Sequence, residues 1–223
     1  RAAAGGVVGG DVLAVVGVLV VGVLVHLATR RVPVARRPET SVLVGAALTA
    51  VCSSAATGIL LTDRGALDQL RSWQVGSSAG RSVGVILPVA LLLLGGVVLA
   101  LALAPGLDAL ALGDEAASAL GHDVGRLHGL ALLAAALLTA GATAVAGPFG
   151  FVGFLAPHAA RPLVGTGHLA VLPASAGCGA AFVVIADVVG RVLAPPGEVP
   201  AGVTVALVGA PALVLLLRRR TLA

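Results

Sequence analysis

The chain has 223 residues, of which 58% are hydrophobic and 11% are charged, and its mean hydropathy is +1.09. A soluble domain carries about 25% charged residues, and a soluble core of this size cannot take up such an apolar surplus. The composition therefore excludes an ordinary soluble domain and predicts an all-α membrane protein, a polytopic bundle of transmembrane helices. The net charge of +4 comes from arginines that lie between apolar runs, which indicates membrane topology and not nucleic-acid binding.

Apolar stretches of about 20 residues, the length that crosses the ~30 Å hydrocarbon layer, follow one another along the chain. The segment Phe149–Val164 is the shortest and is interrupted by glycine and proline. Counting it as a span gives seven in total. The predicted spans are Val7–Ala28, Val42–Leu61, Ser82–Ala104, Leu127–Ala146, Phe149–Val164, Ala170–Leu193 and Gly202–Leu217.

Proline and glycine separate these stretches, and proline does not continue a helix interior. Pro105-Gly106 is expected to end the third span and Gly147-Pro148 the fourth. Pro33 and Pro38 are expected to prevent a helix from continuing through the first loop. The polar segment Thr62–Arg81 holds the single tryptophan, Trp73, a residue type that favours the membrane interface.

Two arginine clusters orient the spans, because cytoplasmic loops carry an excess of positive charge. The first loop holds Arg30, Arg31, Arg36 and Arg37, and the chain ends in Arg218-Arg219-Arg220. Seven spans put both clusters in the cytoplasm, whereas six would separate them, so seven is the preferred count. The chain start then lies outside, which leads us to expect an odd number of further spans before it.

Few ionisable residues lie in or near the predicted spans, where an unpaired charge costs several kcal/mol. Those near membrane-embedded helix ends are Asp11, Asp187 and Arg191. Asp187 and Arg191 stand four residues apart, so they share a helix face and can pair. The pair is either a simple interfacial ion pair or an external docking charge. No series of carboxylates follows one span, which disfavours a proton-coupled transporter.

The other polar and small residues in the apolar segments have structural interpretations. His158 and Arg161 follow Pro157, and no set of His, Cys or carboxylate residues has metal-ligand spacing, so we expect no metal and no cofactor. Cys52 and Cys178 are interpreted as small buried hydrophobes. The glycine-rich stretch Gly147–Gly153 is no phosphate loop; it either lines a translocation route or packs helices.

The stretch Leu107–Arg126 is the only one that reads as a water-exposed helix pair. It carries acidic residues, but it also repeats apolar residues at Leu107, Leu110, Leu112, Ala116 and Leu120. It is either a solvated loop or, because apolar surface would otherwise face water, the contact site of a partner.

Three stretches over the last half of the chain resemble FecCD-type permeases, the importers of iron-siderophores, haem and cobalamin. LDALALGDEAASALGHDVGR (Leu107–Arg126) is similar to the cytoplasmic coupling loop of the family, and GPFGFVGFLAPHAARPLVG (Gly147–Gly165) to its G-x-x-G-F-x-G-x-x-x-P-H-x-x-R stretch. Leu172–Leu217 resembles the last two helices, with the A-D-x-x-x-R and E-x-P-x-G elements.

The resemblance implies a ten-helix permease with both termini in the cytoplasm. This chain would hold the last seven of these helices, with residues 1–223 forming one transmembrane permease domain. The resemblance also implies that residues 107–126 dock in a groove of an ATPase, that Gly113 permits a turn, that Glu115 caps the following short helix, and that Arg191 pairs with a carboxylate of a binding protein. The implied coupling residues are Leu110, Leu112, Gly113, Asp114, Glu115, Ala116, Leu120 and Gly121. The matching structural residues are Gly147, Gly150, Phe151, Gly153, Pro157, His158, Arg161, Asp187, Pro200, Gly202, Gly209 and Pro211.

The expected function is that of the permease subunit of an ATP-binding-cassette (ABC) importer for an iron-siderophore or related metal chelate in a bacterial plasma membrane. The expected partners are a second permease copy, ABC ATPase subunits and a substrate-binding lipoprotein, and the subunit itself, without a Walker motif, is no enzyme. Two alternatives stay open: a non-transporting scaffold or truncated permease, and an ion-coupled secondary transporter. The first three helices of the family, with their Asn-Pro-Leu-Ala segment, have no counterpart here. Some family members close their pathway near the loop before the second span, but Pro38-Glu39-Thr40-Ser41 departs from their pattern, so we assign no gate residue.

Overall fold

The computed structural model describes residues 16–28 except 19 and 26, together with residues 37–61, 83–193 and 199–221. All regular secondary structure in these ranges is α-helical, and the described residues from 16 to 28 are helical as well. The predicted all-α architecture is therefore confirmed. The helices are α1 (Arg37–Leu60), α2 (Val83–Leu110), α3 (Asp114–Ala119), α4 (Val124–Ala146), α5 (Val152–Val164), α6 (His168–Leu193) and α7 (Ala201–Thr221).

Four of the described helices are long and apolar enough to cross a membrane: Val42–Ile59 in α1, Val89–Leu110 in α2, Val124–Ala146, and His168–Val192 in α6. The helix in the short segment Phe149–Val164 has 13 residues. It rises about 20 Å, less than the ~30 Å of the hydrocarbon layer. The count of seven spans stays a prediction, and the expectations for Asp11, Trp73 and the turn at Pro195-Pro196 fall outside the described residues.

Small side chains form the interface between α2 and α4, the most extensively packed pair of helices. Gly141 on α4 is buried against Leu93 of α2, and Gly96 on α2 is buried against Leu138 of α4. Without a hydrophobic force between helices in lipid, close backbone approach through small residues is what holds such a pair together. Helix α6 packs against α2, α5 and α7, and α3 lies against the ends of α2 and α4.

The predicted end of the third span at Pro105-Gly106 is wrong, because α2 continues through both residues to Leu110. Proline removes one backbone hydrogen bond, but tertiary packing compensates for that loss here. Gly106 is buried, and a Cβ on it would lie 2.8 Å from Cδ1 of Leu127. The helix is therefore kept regular by its contact with α4, which sequence-local rules do not include.

The predicted helix pair in Leu107–Arg126 is also corrected. Only α3 is a helix of its own in this stretch, since residues 107–110 complete α2 and residues 124–126 begin α4. Pro38 likewise lies in the first turn of α1 and not in the preceding loop, a position where proline costs little because the first amides have no helical partner.

The expected break at Gly147-Pro148 is confirmed. Helix α4 ends at Ala146, and Gly147 follows with φ of 78°. The chain then turns back into α5, and the turn around Gly165 leads into α6. Val199, just before α7, lies against Gly190 near the end of α6, so α7 begins at the end of the bundle where α6 stops.

Candidate functional site

The short helix α3 is bounded by two glycines with positive φ, Gly113 at 106° and Gly121 at 87°. Side chains other than glycine rarely adopt such angles. After the helix, the amide of Gly121 donates to the Ser118 carbonyl (2.9 Å) and the amide of His122 donates to the Ala117 carbonyl (3.1 Å). These two bonds form a Schellman motif, which satisfies carbonyls that a helix end leaves open. A helix of only 6 residues is thus held by its own ends.

One face of α3 is buried and the other carries exposed leucines. Ala117 has no exposed surface and faces the bundle, whereas Leu112 and Leu120, which flank the helix, are 72% and 63% exposed. Leu110 and Ala116, also expected in this surface, are half-buried. Two exposed leucines that flank a helix whose other face is buried are typical of a surface that binds a partner.

Acidic side chains occupy the first turn of α3, at Asp114 and Glu115. A negative charge there interacts favourably with the positive end of the helix dipole. The N-cap position is held by Gly113, and no side chain makes a cap hydrogen bond there. The resemblance implied that Glu115 caps this helix, but Glu115 contributes only a negative charge in the first turn. Glu115 is exposed and available to a partner.

The far end of the loop is fixed by Asp123, the N-cap of α4. Its carboxylate accepts a hydrogen bond from the amide of Arg126 (3.0 Å) and lies 3.1 Å from Nε of the same arginine. The side-chain oxygen of an N-cap residue satisfies one of the first free amides of a helix. The loop therefore enters α4 with a defined geometry.

The near end of the loop is fixed by a contact that the sequence did not predict. Oδ1 of Asp108, in the last turn of α2, accepts hydrogen bonds from the backbone amide (2.9 Å) and from Nδ1 (2.6 Å) of His168. The available signal was an acidic residue at the C-terminal end of a helix, where a negative charge opposes the helix dipole. Its partner, 60 residues away, could not be identified from that signal.

The predicted pairing of Asp187 with Arg191 is confirmed. Nε of Arg191 donates to Oδ2 of Asp187 at 3.0 Å, in the last turns of α6. Arg191 is exposed and Asp187 is half-buried, so the carboxylate fixes a guanidinium that remains accessible. Between them, Gly190 is buried against the backbone of Val199 and the side chain of Thr204.

The glycine-rich segment after α4 is brought together with α7. Phe151, just before α5, has φ of 64°, and a Cβ on Gly209 would lie 2.8 Å from its Cβ. The polar ring of His158 finds its partners within the same helix: its Nδ1 lies 2.8 Å from the Phe154 carbonyl oxygen, and its ring stacks on that of Phe154 with 4.8 Å between the ring centres. Phe151 therefore packs against α7, whereas the contacts of His158 stay within α5.

The other structural residues that the resemblance singled out lie in several turns and helices. Gly150 and Gly153 have open space where a side chain would be, and Pro157 lies inside α5. Arg161 is exposed in the last turn of α5. Pro200 is exposed before α7, Gly202 lies in its first turn, and Pro211 lies inside it.

Among the described residues, no group of three or more His, Cys, Asp or Glu is arranged to hold a metal ion. Cys52 is exposed on α1 and Cys178 is half-buried on α6, and both are free thiols. The expectation that both are buried is therefore wrong for Cys52. Helix α1 makes no extensive contact with the other described helices, so none of them covers this thiol.

Comparison with known proteins gives a consistent result over most of the chain. The model of the FecCD transport family matches residues 6–219. The ferric enterobactin transport system permease protein of Escherichia coli (strain K12) is 40% identical over 82% of this chain and 55% of its own length. An Fe(3+)-citrate import system permease protein of Bacillus subtilis (strain 168) is 37% identical over 91% of this chain and 60% of its own.

A third relative, the hemin transport system permease protein of Yersinia pestis, is 37% identical over 80% of this chain and 54% of its own length. The chain thus spans between about half and three-fifths of these relatives. Among solved structures, the inward-facing conformation of a putative metal-chelate type ABC transporter superposes with a TM-score of 0.82 at 26% identity, covering 96% of this chain and 72% of that one.

Proposed function

This chain belongs to the FecCD transport family, and we propose that it acts as the permease subunit of an ABC importer that takes up a metal chelate across a bacterial plasma membrane. Its relatives are named for ferric enterobactin, Fe(3+)-citrate and hemin. An iron-siderophore or a related iron chelate is therefore the proposed cargo. ATP hydrolysis belongs to a separate subunit, and this chain provides the path and the contact surfaces.

The observation that carries the proposal is the surface formed by Leu112, α3 and Leu120. The helix is anchored by buried Ala117, and both leucines are exposed where no described element covers them. We assign this surface to an ABC ATPase subunit, which would cover the leucines on the cytoplasmic side. A rigid helix that protrudes between two fixed turns is suited to transmit displacement, because packed elements move as units.

The end of α6 that carries Arg191 is proposed to face outward and to dock the substrate-binding protein. Helix α6 has 26 residues and rises about 39 Å, enough to reach from one side of the membrane to the other. On this orientation His168, beside the loop, is cytoplasmic and Arg191 is external. Helix α7 runs back from the external side, so Arg218-Arg219-Arg220 would lie in the cytoplasm, as the positive-inside rule requires.

A second permease copy, identical or paired, is proposed to complete the pathway. Helix α1 is apolar and exposed along Val42–Ile59, and it makes no extensive contact with the other described helices. Two of its hydroxyls are satisfied within the helix, since Thr49 donates to the Gly45 carbonyl and Thr57 to the Ser53 carbonyl, both at 2.8 Å. Rocking of the two copies against each other would open the path alternately to each side.

The test is uptake by proteoliposomes that contain the permease, its ATPase subunits and its binding protein. Radiolabelled ferric enterobactin, ferric citrate and hemin are offered with and without internal ATP. We expect ATP-dependent uptake of at least one of them. Uptake that persists without ATP and follows an ion gradient would indicate a secondary transporter, and a permease that neither recruits an ATPase nor transports any of the three would be a scaffold.

The loop surface is tested by replacing Leu112 with aspartate. A charge at an apolar contact is expected to reduce recruitment of the ATPase and to abolish uptake while the permease stays inserted. Leu112→Met keeps the apolar volume and should behave as wild type. Leu163→Asp is the matched control, because Leu163 is 76% exposed but lies at the end of α5, outside this surface.

A further inference from the structure

The carboxylate of Asp108 joins two helices that are far apart in the chain. The same oxygen, Oδ1, accepts one hydrogen bond from the backbone amide of His168 and another from its ring Nδ1. An ionised carboxylate only accepts, so Nδ1 carries the proton in this pair. At 2.9 and 2.6 Å these are short, charge-assisted bonds, and both donors come from one residue, which fixes its position as well as its orientation.

The placement of Asp108 serves α6 and not its own helix. Asp108 lies in the last turn of α2, where a negative charge opposes the dipole of that helix. His168 is the first residue of α6, whose free amides and positive dipole end favour a carboxylate. Asp108 is therefore an N-cap supplied by a neighbouring helix. A local cap would satisfy α6 as well, but it would not connect α6 to the loop.

Helix α6 continues from this contact to the opposite end of the bundle, where Asp187 holds Arg191. The base of the loop that precedes α3 and the proposed docking arginine are therefore attached to the same helix. Asp108 is only two residues from the end of α2, and Leu112 lies in the turn that follows that helix. A displacement of α6 along its axis acts on the base of this loop through the Asp108 carboxylate.

We propose that Asp108 and His168 are positioning residues that transmit the docking of a binding protein at Arg191 to the ATPase-binding surface at α3. The inference rests on the proposed function and adds a route between its two contact sites. The contact on α2 supplies the cap of α6, so that a shift of α6 moves α2 and the loop together. Neither residue touches the ATPase, the binding protein or the cargo in this assignment.

The test measures how strongly an added binding protein stimulates ATP hydrolysis by the permease–ATPase complex in proteoliposomes. Asp108→Ala and His168→Ala are expected to lower this stimulation about fivefold or more, the lower range of measured couplings between sites. Basal hydrolysis, the amount of assembled complex and the affinity for the binding protein should stay at wild-type values. Asp108→Asn keeps an oxygen acceptor, and His168→Asn keeps a side-chain N–H donor, so both should restore most of the stimulation.

The matched control is Asp123→Ala at the other end of the loop. Asp123 also caps a helix with its carboxylate, but the capped amide, that of Arg126, belongs to its own helix α4. Loss of that cap loosens the entry of the loop into α4 but breaks no contact with α6, so most of the stimulation is expected to remain. An equal loss of stimulation in Asp123→Ala and Asp108→Ala would overturn the inference, because it would show that any weakened cap near the loop has this effect.

Wild-type stimulation in an assembled Asp108→Ala complex would also overturn it. If neither alanine variant assembles, Asp108→Leu decides: it has a similar size but no acceptor, and stimulation equal to wild type would again contradict the route. Failure of the proposed function is recognised separately, since the wild-type permease would then bind no ATPase or show no response to any binding protein. A responsive wild type with an equally responsive Asp108→Ala removes this inference alone.

Discussion

Gly190 and Val199 approach so closely that a Cβ on residue 190 would lie 2.6 Å from the carbonyl oxygen of Val199. The amide of Val199 also donates to the Gly190 carbonyl at 3.3 Å. The close approach involves backbone on both sides, so a side chain at residue 190 cannot be accommodated by a change of rotamer. This contact joins the end of α6 to the start of α7, one residue before Arg191.

Gly190→Ala is therefore expected to destabilise the protein by about 1–3 kcal/mol, the usual cost of inserting a methyl group into a tightly packed site. Thermal unfolding of the detergent-solubilised protein measures the effect. Gly177→Ala is the control in the same helix, because a Cβ there meets nothing within 4 Å. It should leave stability unchanged or raise it by up to about 1 kcal/mol. Equal stability of both variants would contradict the assigned contact.

Gly113→Ala is expected to weaken recruitment of the ATPase. A φ of 106° costs an alanine roughly 1–3 kcal/mol, so the loop would shift and the two leucines beside α3 would lose their fixed positions. Co-purification of the ATPase with the permease measures recruitment. Gly95→Ala in α2 has open space and a helical backbone, and should recruit normally. Normal recruitment by Gly113→Ala would show that the turn is not needed.

Arg191→Glu is expected to lower the affinity for the binding protein at least about tenfold, because it places a like charge opposite the proposed docking carboxylate. Arg126→Glu reverses an equally ion-paired arginine at the loop end of the bundle and should leave this affinity unchanged. Surface plasmon resonance at two salt concentrations distinguishes the two variants. A weaker salt dependence is expected for the remaining binding of Arg191→Glu.

Ala140→Leu is expected to destabilise the bundle by about 1–3 kcal/mol, because Ala140 on α4 has no exposed surface and a larger side chain would overpack its site. Ala142→Leu adds the same side chain two residues away on the exposed side of α4 and should be close to neutral. Thermal unfolding in detergent compares them directly. A destabilisation of Ala142→Leu as large as that of Ala140→Leu would contradict this assignment, because it would show that the exposed side of α4 is also tightly packed.

The features that could be predicted from the sequence are local ones. The spacing of Asp187 and Arg191 specifies a shared helix face, and Gly147-Pro148 specifies a break, because both depend only on residues a few positions apart. The exposed leucines of the loop were predicted for a similar reason. Apolar residues between acidic ones, next to a turn glycine, indicate a water-facing surface whatever lies around it.

The features that were missed depend on distant residues. Pro105 was expected to end α2, but the packing of Gly106 against Leu127 keeps the helix intact. The contact of Asp108 with His168 spans 60 positions and has no spacing rule. The count of seven spans rests on charge and hydropathy alone and stays a prediction, with α5 as a helix of 13 residues.

The ion pair of Arg191 with Asp187 has a consequence for the kinetics of docking. Asp187 engages Nε of Arg191, and a guanidinium has further N–H donors, so a second carboxylate would share an arginine whose charge is already partly neutralised. Exposed ion pairs of this kind yield a small net free energy, on the order of 1 kcal/mol or less. On the proposed function, the binding protein would gain little affinity from this contact and would dissociate readily after each delivery, which leaves the permease free to receive the next.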